Sequence, residues 1–87
     1  MSKHQKLLQR LASSPKDFTW SELVNLMSSF GIELLTSSGS ARKFRNPATG
    51  EQLNMHQPHP SNILKRYQVH DAIGFLKHEG FLNEHNS

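Results

Sequence analysis

FTWSELVNLMSSFG, residues 18–31, carries the strongest structural signal in the chain. Thr19 and Glu22 have the spacing of a capping box, in which each side chain accepts a hydrogen bond from the backbone amide of the other residue. Phe18 and Leu23 occupy the two positions of a hydrophobic staple, which packs the chain before a helix against its first turn. These features predict a helix that begins directly after Thr19.

The rest of this stretch predicts one apolar helix face and a defined end. Four apolar side chains recur at helical spacing: Leu23, Leu26, Met27 and Phe30. This spacing places them on one stripe of the helix, as a core-facing helix requires. Gly31 suits the left-handed conformation with which many helices end. We therefore predict a helix over residues 20–30.

Three short strands are predicted after this helix, over residues 32–36, 41–46 and 51–56. The turn sequences Ser-Ser-Gly-Ser and Asn-Pro-Ala-Thr-Gly separate them. Because side chains alternate between the faces of a strand, the second and third strands should share an apolar and a polar face. The apolar face is predicted to hold Phe44, Leu53 and Met55, with Arg42 beside them. The polar face is predicted to hold Lys43, Arg45, Gln52, Asn54 and His56, with Ala41 beside them.

Two further helices complete the predicted fold. Leucines at helical spacing predict a helix over residues 4–12, before Ser-Ser-Pro, and a second apolar stripe predicts one over residues 67–79, before Gly80. The order is helix, helix, three strands, helix. We expect an α+β fold, in which helices cover one face of a three-stranded antiparallel sheet.

Length and composition limit the possible functions. A chain of 87 residues is long enough for one small domain, and a large internal substrate cavity is not expected. The chain contains no cysteine, which excludes disulfide scaffolds, cysteine-ligated zinc and thiol catalysis. No apolar stretch approaches the length of a membrane span, and no signal peptide is evident. We expect a cytoplasmic protein without a membrane partner.

The positive charge is concentrated in the middle of the chain. The formal net charge of the chain is +3. Residues 42–66 contain five basic residues and one acidic residue, so this region alone carries more than the net positive charge of the whole chain. Such a basic region indicates binding to nucleic acid or to an acidic protein. An ordinary soluble basic surface is the alternative that composition leaves open.

Two histidines, His56 and His59, flank a proline-stiffened loop beside the basic strands. They lack a third ligand at useful spacing, so we expect no metal site. Cleavage of RNA can proceed without a metal site. The ribose 2′-hydroxyl can attack its own phosphate when a base takes its proton and cations stabilise the developing charge. His59, with Arg42, Lys43 and Lys65 nearby, would form such a set. On the residues alone, His59 packed between two prolines is an equally open interpretation.

The order of several short motifs resembles the HicA family of bacterial toxins. The motifs span about residues 19–82 and are Gly39-Ser40, Lys43-Phe44, Gly50, His56, Pro58-His59-Pro60, Asn62, Leu64-Lys65 and Glu79-Gly80-Phe81. The resemblance implies a fold like the double-stranded RNA-binding domain, in a domain over 19–82. Residues 1–18 would then be an N-terminal extension, and we expect residues 83–87 to be a frayed tail.

The same resemblance implies a function. A HicA-like chain would be an mRNA interferase, an endoribonuclease that needs neither metal nor small-molecule cofactor, and a HicB-like antitoxin would neutralise it. We take His59 as the catalytic residue. The expected RNA contacts are Arg42, Lys43, Arg45, His56 and Lys65.

One position departs from the family pattern. The family motif is Gly-Ser-His, and its histidine is taken as catalytic, whereas this chain has Gly39-Ser40-Ala41. Three interpretations follow: alanine replaces a natural histidine, the chain uses another residue such as His59, or it is a non-catalytic module that binds RNA or protein.

Overall fold

The computed structural model describes residues 3–82, which form three helices and one sheet. In chain order they are α1 (Lys3–Ala12), α2 (Trp20–Ser29), β1 (Glu33–Thr36), β2 (Ala41–Arg45), β3 (Gln52–His56) and α3 (Arg66–His78). Every predicted helix and strand is present, with bounds within one residue of the prediction. The predicted tail over 83–87 lies outside the described residues.

The N-terminus of α2 has the capping box that the sequence predicts. The Thr19 hydroxyl accepts a hydrogen bond from the Glu22 amide at 3.2 Å, and the Glu22 carboxylate accepts one from the Thr19 amide at 3.0 Å. Phe18 and Leu23, the staple residues, are fully buried. Gly31 has a φ of +81°, a conformation that favours glycine, and it follows the last turn of the helix.

The sheet is an antiparallel meander in the order β1-β2-β3. In β2 and β3, Arg42 is opposite Met55 and Phe44 is opposite Leu53, while Ala41 is opposite His56. Because opposed residues point to the same face, this register confirms the predicted division into an apolar face and a polar face.

The core lies between the apolar face of the sheet and the helices. Phe44 and Met55 are buried together with residues of α2 and α3, and the ring of Trp20 lies 5.4 Å from that of Phe44. These contacts confirm the α+β class. Leu11 of α1 is fully buried in the same cluster, so the first helix contributes to the core.

Arg10 connects α1 to the start of α2. Its guanidinium group forms ion pairs with Asp17 at 2.8 Å and with Glu22 at 2.7 Å, and it lies over the ring of Phe18. Partial burial tends to raise the pKa of Glu22, but hydrogen bonds from the Thr19 amide and from Arg10 outweigh it and hold that pKa below its ordinary value.

Candidate functional site

A surface cleft lies where the turn before β2 meets the chain after β3. It has a volume of about 350 Å³ and is lined by Gly39, Ser40, Arg42, Gln57, Pro58 and His59. We call it the loop cleft. It brings together His59 and Arg42, two of the residues that the sequence predicts for RNA cleavage.

A second cleft begins at the same end of the sheet and follows β2 and β3. It is lined by Ser37, Ala41, Arg42, Lys43, Asn54, Met55 and His56. We call it the strand cleft. Arg42 contributes to the lining of both clefts, but its side chain shares a sheet face with Met55, whereas His56 shares the opposite face with Ala41.

Arg42 is held by the backbone of its own strand and turn. Its Nη1 atom donates hydrogen bonds to the carbonyl oxygens of Gly39, at 2.8 Å, and of Ala41, at 3.0 Å. Among the described residues, no hydrogen bond uses its Nη2 or Nε atoms. A guanidinium group has five N–H donors, so donors of Arg42 stay available for an anion.

His56 lies at the end of β3, directly opposite Ala41. Its Nδ1 atom is 3.1 Å from the Ser40 hydroxyl, and the Ser40 carbonyl accepts a hydrogen bond from the Gln57 amide at 2.9 Å. Ser40 therefore fixes both the ring of His56 and the chain that leaves the strand. The imidazole is exposed, on the face where the motif position is occupied by Ala41.

Gln68, on α3, connects the two ends of the segment that carries His59. It is 2% exposed, donates a hydrogen bond to the His56 carbonyl at 2.8 Å and accepts one from the Lys65 amide at 2.9 Å. Both the amide nitrogen and the carbonyl oxygen of this buried side chain are hydrogen-bonded, so Gln68 fixes the position of the two ends of the segment. The sequence analysis missed Gln68, because a polar residue on a helix predicts solvent exposure.

The loop over residues 57–64 is also joined to the start of α2. The Trp20 amide donates a hydrogen bond to the Asn62 carbonyl, and the Leu64 amide donates one to the Phe18 carbonyl, both at 2.8 Å. The loop is thus fixed at both ends, and His59 projects from its exposed middle.

The remaining predicted cations are placed differently with respect to the two clefts. Lys43 lines the strand cleft, whereas Lys65 lines neither cleft, although its backbone shares Gln68 with His56. Arg45 is four residues along β2 from Ala41, about 13 Å away. Its guanidinium group is 3.5 Å from the Glu33 carboxylate, which compensates part of its charge.

The site is basic, and the described residues leave its charge without a carboxylate partner. Within residues 3–82, no carboxylate lies within ion-pair distance of Arg42, Lys43 or Lys65. That part of the chain also contains no group of three histidine, aspartate or glutamate side chains placed as metal ligands. None of its helices has the length and apolar character needed to cross a membrane.

Comparison with known proteins identifies one family. The family model described as HicA toxin of bacterial toxin-antitoxin matches residues 20–77. No curated protein and no solved structure matches the chain. The matched residues include the whole sheet, both clefts and Gln68, and they exclude α1.

Proposed function

The chain belongs to the HicA family of toxins of bacterial toxin–antitoxin systems, and on that premise we propose that it is an endoribonuclease that cleaves mRNA. The observation that carries this proposal is the loop cleft, which is lined by His59 and Arg42 and by no carboxylate of residues 3–82. A phosphodiester is an anion, and a cleft with cationic donors and an exposed imidazole suits it.

The proposed reaction uses the nucleophile that RNA itself supplies. The 2′-hydroxyl loses its proton and its oxygen forms a bond to the adjacent phosphorus, while the bond from phosphorus to the 5′-oxygen breaks. The products are a 2′,3′-cyclic phosphate and a 5′-hydroxyl. His59 transfers a proton in this step, and Arg42 stabilises the additional negative charge on the phosphoryl oxygens.

RNA binding is assigned to the basic end of the sheet. Domains of this general shape contact RNA mainly through phosphates and 2′-hydroxyls, and the proposed contacts are Arg42, Lys43, Arg45, His56 and Lys65. Arg42 and Lys43 are the strongest candidates, since they line the clefts and have no acidic partner among residues 3–82. Arg45 is the weakest, because it pairs with Glu33.

We further propose that a HicB-like antitoxin neutralises the chain by covering the basic end of the sheet and the 57–64 loop. An acidic surface on the antitoxin would complement the same cations that meet RNA. Both interactions would take place in the cytoplasm, where mRNA is found. Under this proposal, antitoxin and RNA compete, and Lys43→Ala weakens both interactions.

The test compares induced expression of the chain and of two histidine variants. We expect the chain to arrest growth and, when purified, to cut mRNA. His59→Ala should abolish both effects, whereas His70→Ala, which removes an exposed histidine of α3, should change neither. Co-expression of the neighbouring antitoxin gene should relieve the arrest.

Two results would contradict the proposal in different ways. Full toxicity of His59→Ala would show that the catalytic assignment is wrong. Binding of intact RNA, with steep salt dependence but without cleavage, would favour a non-catalytic RNA-binding module.

A further inference from the structure

We infer that His56 is the second proton-transfer group of the reaction and acts together with His59. This inference rests on the proposed function, because it names a further catalytic residue for the same RNA cleavage. Its basis is Ser40, which lines the loop cleft together with His59 and contacts the ring of His56 in the strand cleft.

The chemistry requires two proton transfers in opposite directions. One group takes the proton of the attacking 2′-hydroxyl, and another gives a proton to the departing 5′-oxygen, so that the proton count balances. A single histidine cannot contact both oxygens, because they lie on opposite sides of phosphorus when one bond forms and the other breaks. Two imidazoles at one phosphate match this requirement.

His56 and His59 are close enough to serve one phosphate group. Two residues lie between them, so their Cα atoms are at most about 11 Å apart. Ser40 connects the two histidines, because its hydroxyl contacts the His56 ring and the residue lines the loop cleft together with His59. A phosphate bound at this end of the sheet would therefore meet both imidazoles.

The surroundings of His56 are those of a positioned group. Ser40 holds the ring through Nδ1 at 3.1 Å, and among the described residues no side chain binds Nε2, so this nitrogen can meet a substrate. The His56 carbonyl is fixed by buried Gln68. A histidine that only contributed charge to a basic surface would not need its ring and its backbone fixed from two separate elements.

The test measures cleavage of a short RNA by the purified full chain in single turnover, with protein in saturating excess. We expect His56→Ala and His59→Ala each to lose about 100-fold or more in rate, whereas His70→Ala is unchanged. The same variants are then given an RNA in which sulfur replaces the bridging 5′-oxygen at the cut site. A thiolate departs without protonation, so this substrate should restore cleavage in one of the two variants and leave the other slow.

A compensating variant tests the position of the group. Ala41 lies opposite His56 and points to the same face of the sheet, so Ala41→His in the His56→Ala background returns an imidazole to the strand cleft. We expect this double variant to recover part of the lost rate. Circular dichroism and thermal melting of each variant show that the folded state is retained.

Several results would overturn the inference. One is an unchanged saturating rate in His56→Ala, or a loss that is confined to RNA affinity. Another is a sulfur substrate that restores cleavage in neither, or in both, of the two alanine variants. A third is a folded double variant that cleaves no faster than His56→Ala. If the unaltered chain does not cut RNA, the proposed function itself fails and the inference fails with it. A chain that cuts normally without His56 overturns the inference alone.

Discussion

The two ends of the β2–β3 hairpin contrast in how their charges are compensated. At the site end, around Arg42 and Lys43, no carboxylate lies within ion-pair distance among residues 3–82. At the turn end, acidic side chains contact Arg45, Asn46 and Thr49. Arg45 pairs with Glu33, and Asn46 donates a hydrogen bond to Glu79 at 2.8 Å.

The turn end of the hairpin contributes to stability, whereas the site end is the part that we propose binds RNA. Glu79 accepts hydrogen bonds from both Asn46 and Thr49, and its side chain is 2% exposed. It therefore joins the turn after β2 to the end of α3. At the site end, no carboxylate of residues 3–82 pairs with Arg42 or Lys43. Their donors stay available to an anionic ligand. Among the described residues, Arg45 is the one cation of the basic region that pairs with a carboxylate.

The largest expected effect distinguishes two arginines on the same strand. Arg42→Ala should lower RNA cleavage by about 100-fold, the loss typical for removal of a group that stabilises developing charge. Arg45→Ala should change it by only a few-fold, because its partner is Glu33. Single-turnover rates with purified protein measure both. Equal losses in the two variants would show that the hairpin acts as one uniform basic surface.

The turn end should dominate stability. Glu79→Ala leaves the Asn46 amide buried without its partner, and we expect it to cost about 2 kcal/mol in the free energy of unfolding. Cleavage per folded molecule should be nearly unchanged. Asp71→Ala, which removes an exposed carboxylate of α3, is the matched control and should cost little. Urea unfolding measures both, and a stable Glu79→Ala would refute the structural role of this end.

Acid should weaken the fold through Glu22, which lies away from the site end and whose pKa is held below its ordinary value. A carboxyl whose pKa is lower in the folded state stabilises fully above its unfolded pKa. That contribution is lost as pH falls through the folded value. We therefore expect Glu22→Gln to be less stable at neutral pH by about 1 kcal/mol. Below its ordinary value of 4.5, unfolding of the variant should depend less on pH. Parallel pH curves for the two proteins would contradict this assignment.

The smallest effect concerns the salt dependence of RNA binding. Lys43→Ala should reduce the slope of log affinity against log salt concentration by about one unit, because one phosphate contact is lost. Lys6→Ala on α1 should leave the slope unchanged. Binding titrations at several salt concentrations, with an RNA analogue that cannot be cleaved, measure this slope. An unchanged slope for Lys43→Ala would place RNA away from the strand cleft.

The sequence predicts the parts of this fold that depend on local spacing. Thr19 and Glu22 determine the start of α2 by a contact three residues apart, and Gly31 suits its end. The alternation of Phe44 with Lys43 and Arg45 likewise predicts which face of β2 is apolar. Each of these signals involves neighbours in the chain, so one sequence is enough to detect it.

The support of the site could not be predicted in this way. Gln68 contacts the His56 carbonyl twelve residues away, and Glu79 contacts Asn46 across thirty-three residues. Which polar side chain becomes buried depends on how α3 docks on the sheet. The pairing of Ser40 with His56 similarly depends on strand register, although both residues could be identified as polar candidates. The catalytic assignments stay predictions.

The fixed 57–64 loop has a consequence for the timing of toxicity during synthesis. A nascent chain that ends before α3 already contains Arg42, His56 and His59, yet it lacks Gln68, which holds the carbonyl of His56 and the amide of Lys65. The loop also requires the earlier segment at Phe18 and Trp20 to be in place. Under the proposed function, each proposed cleaving group is therefore translated before Gln68, and we expect the site to become ordered only after α3 has been synthesised.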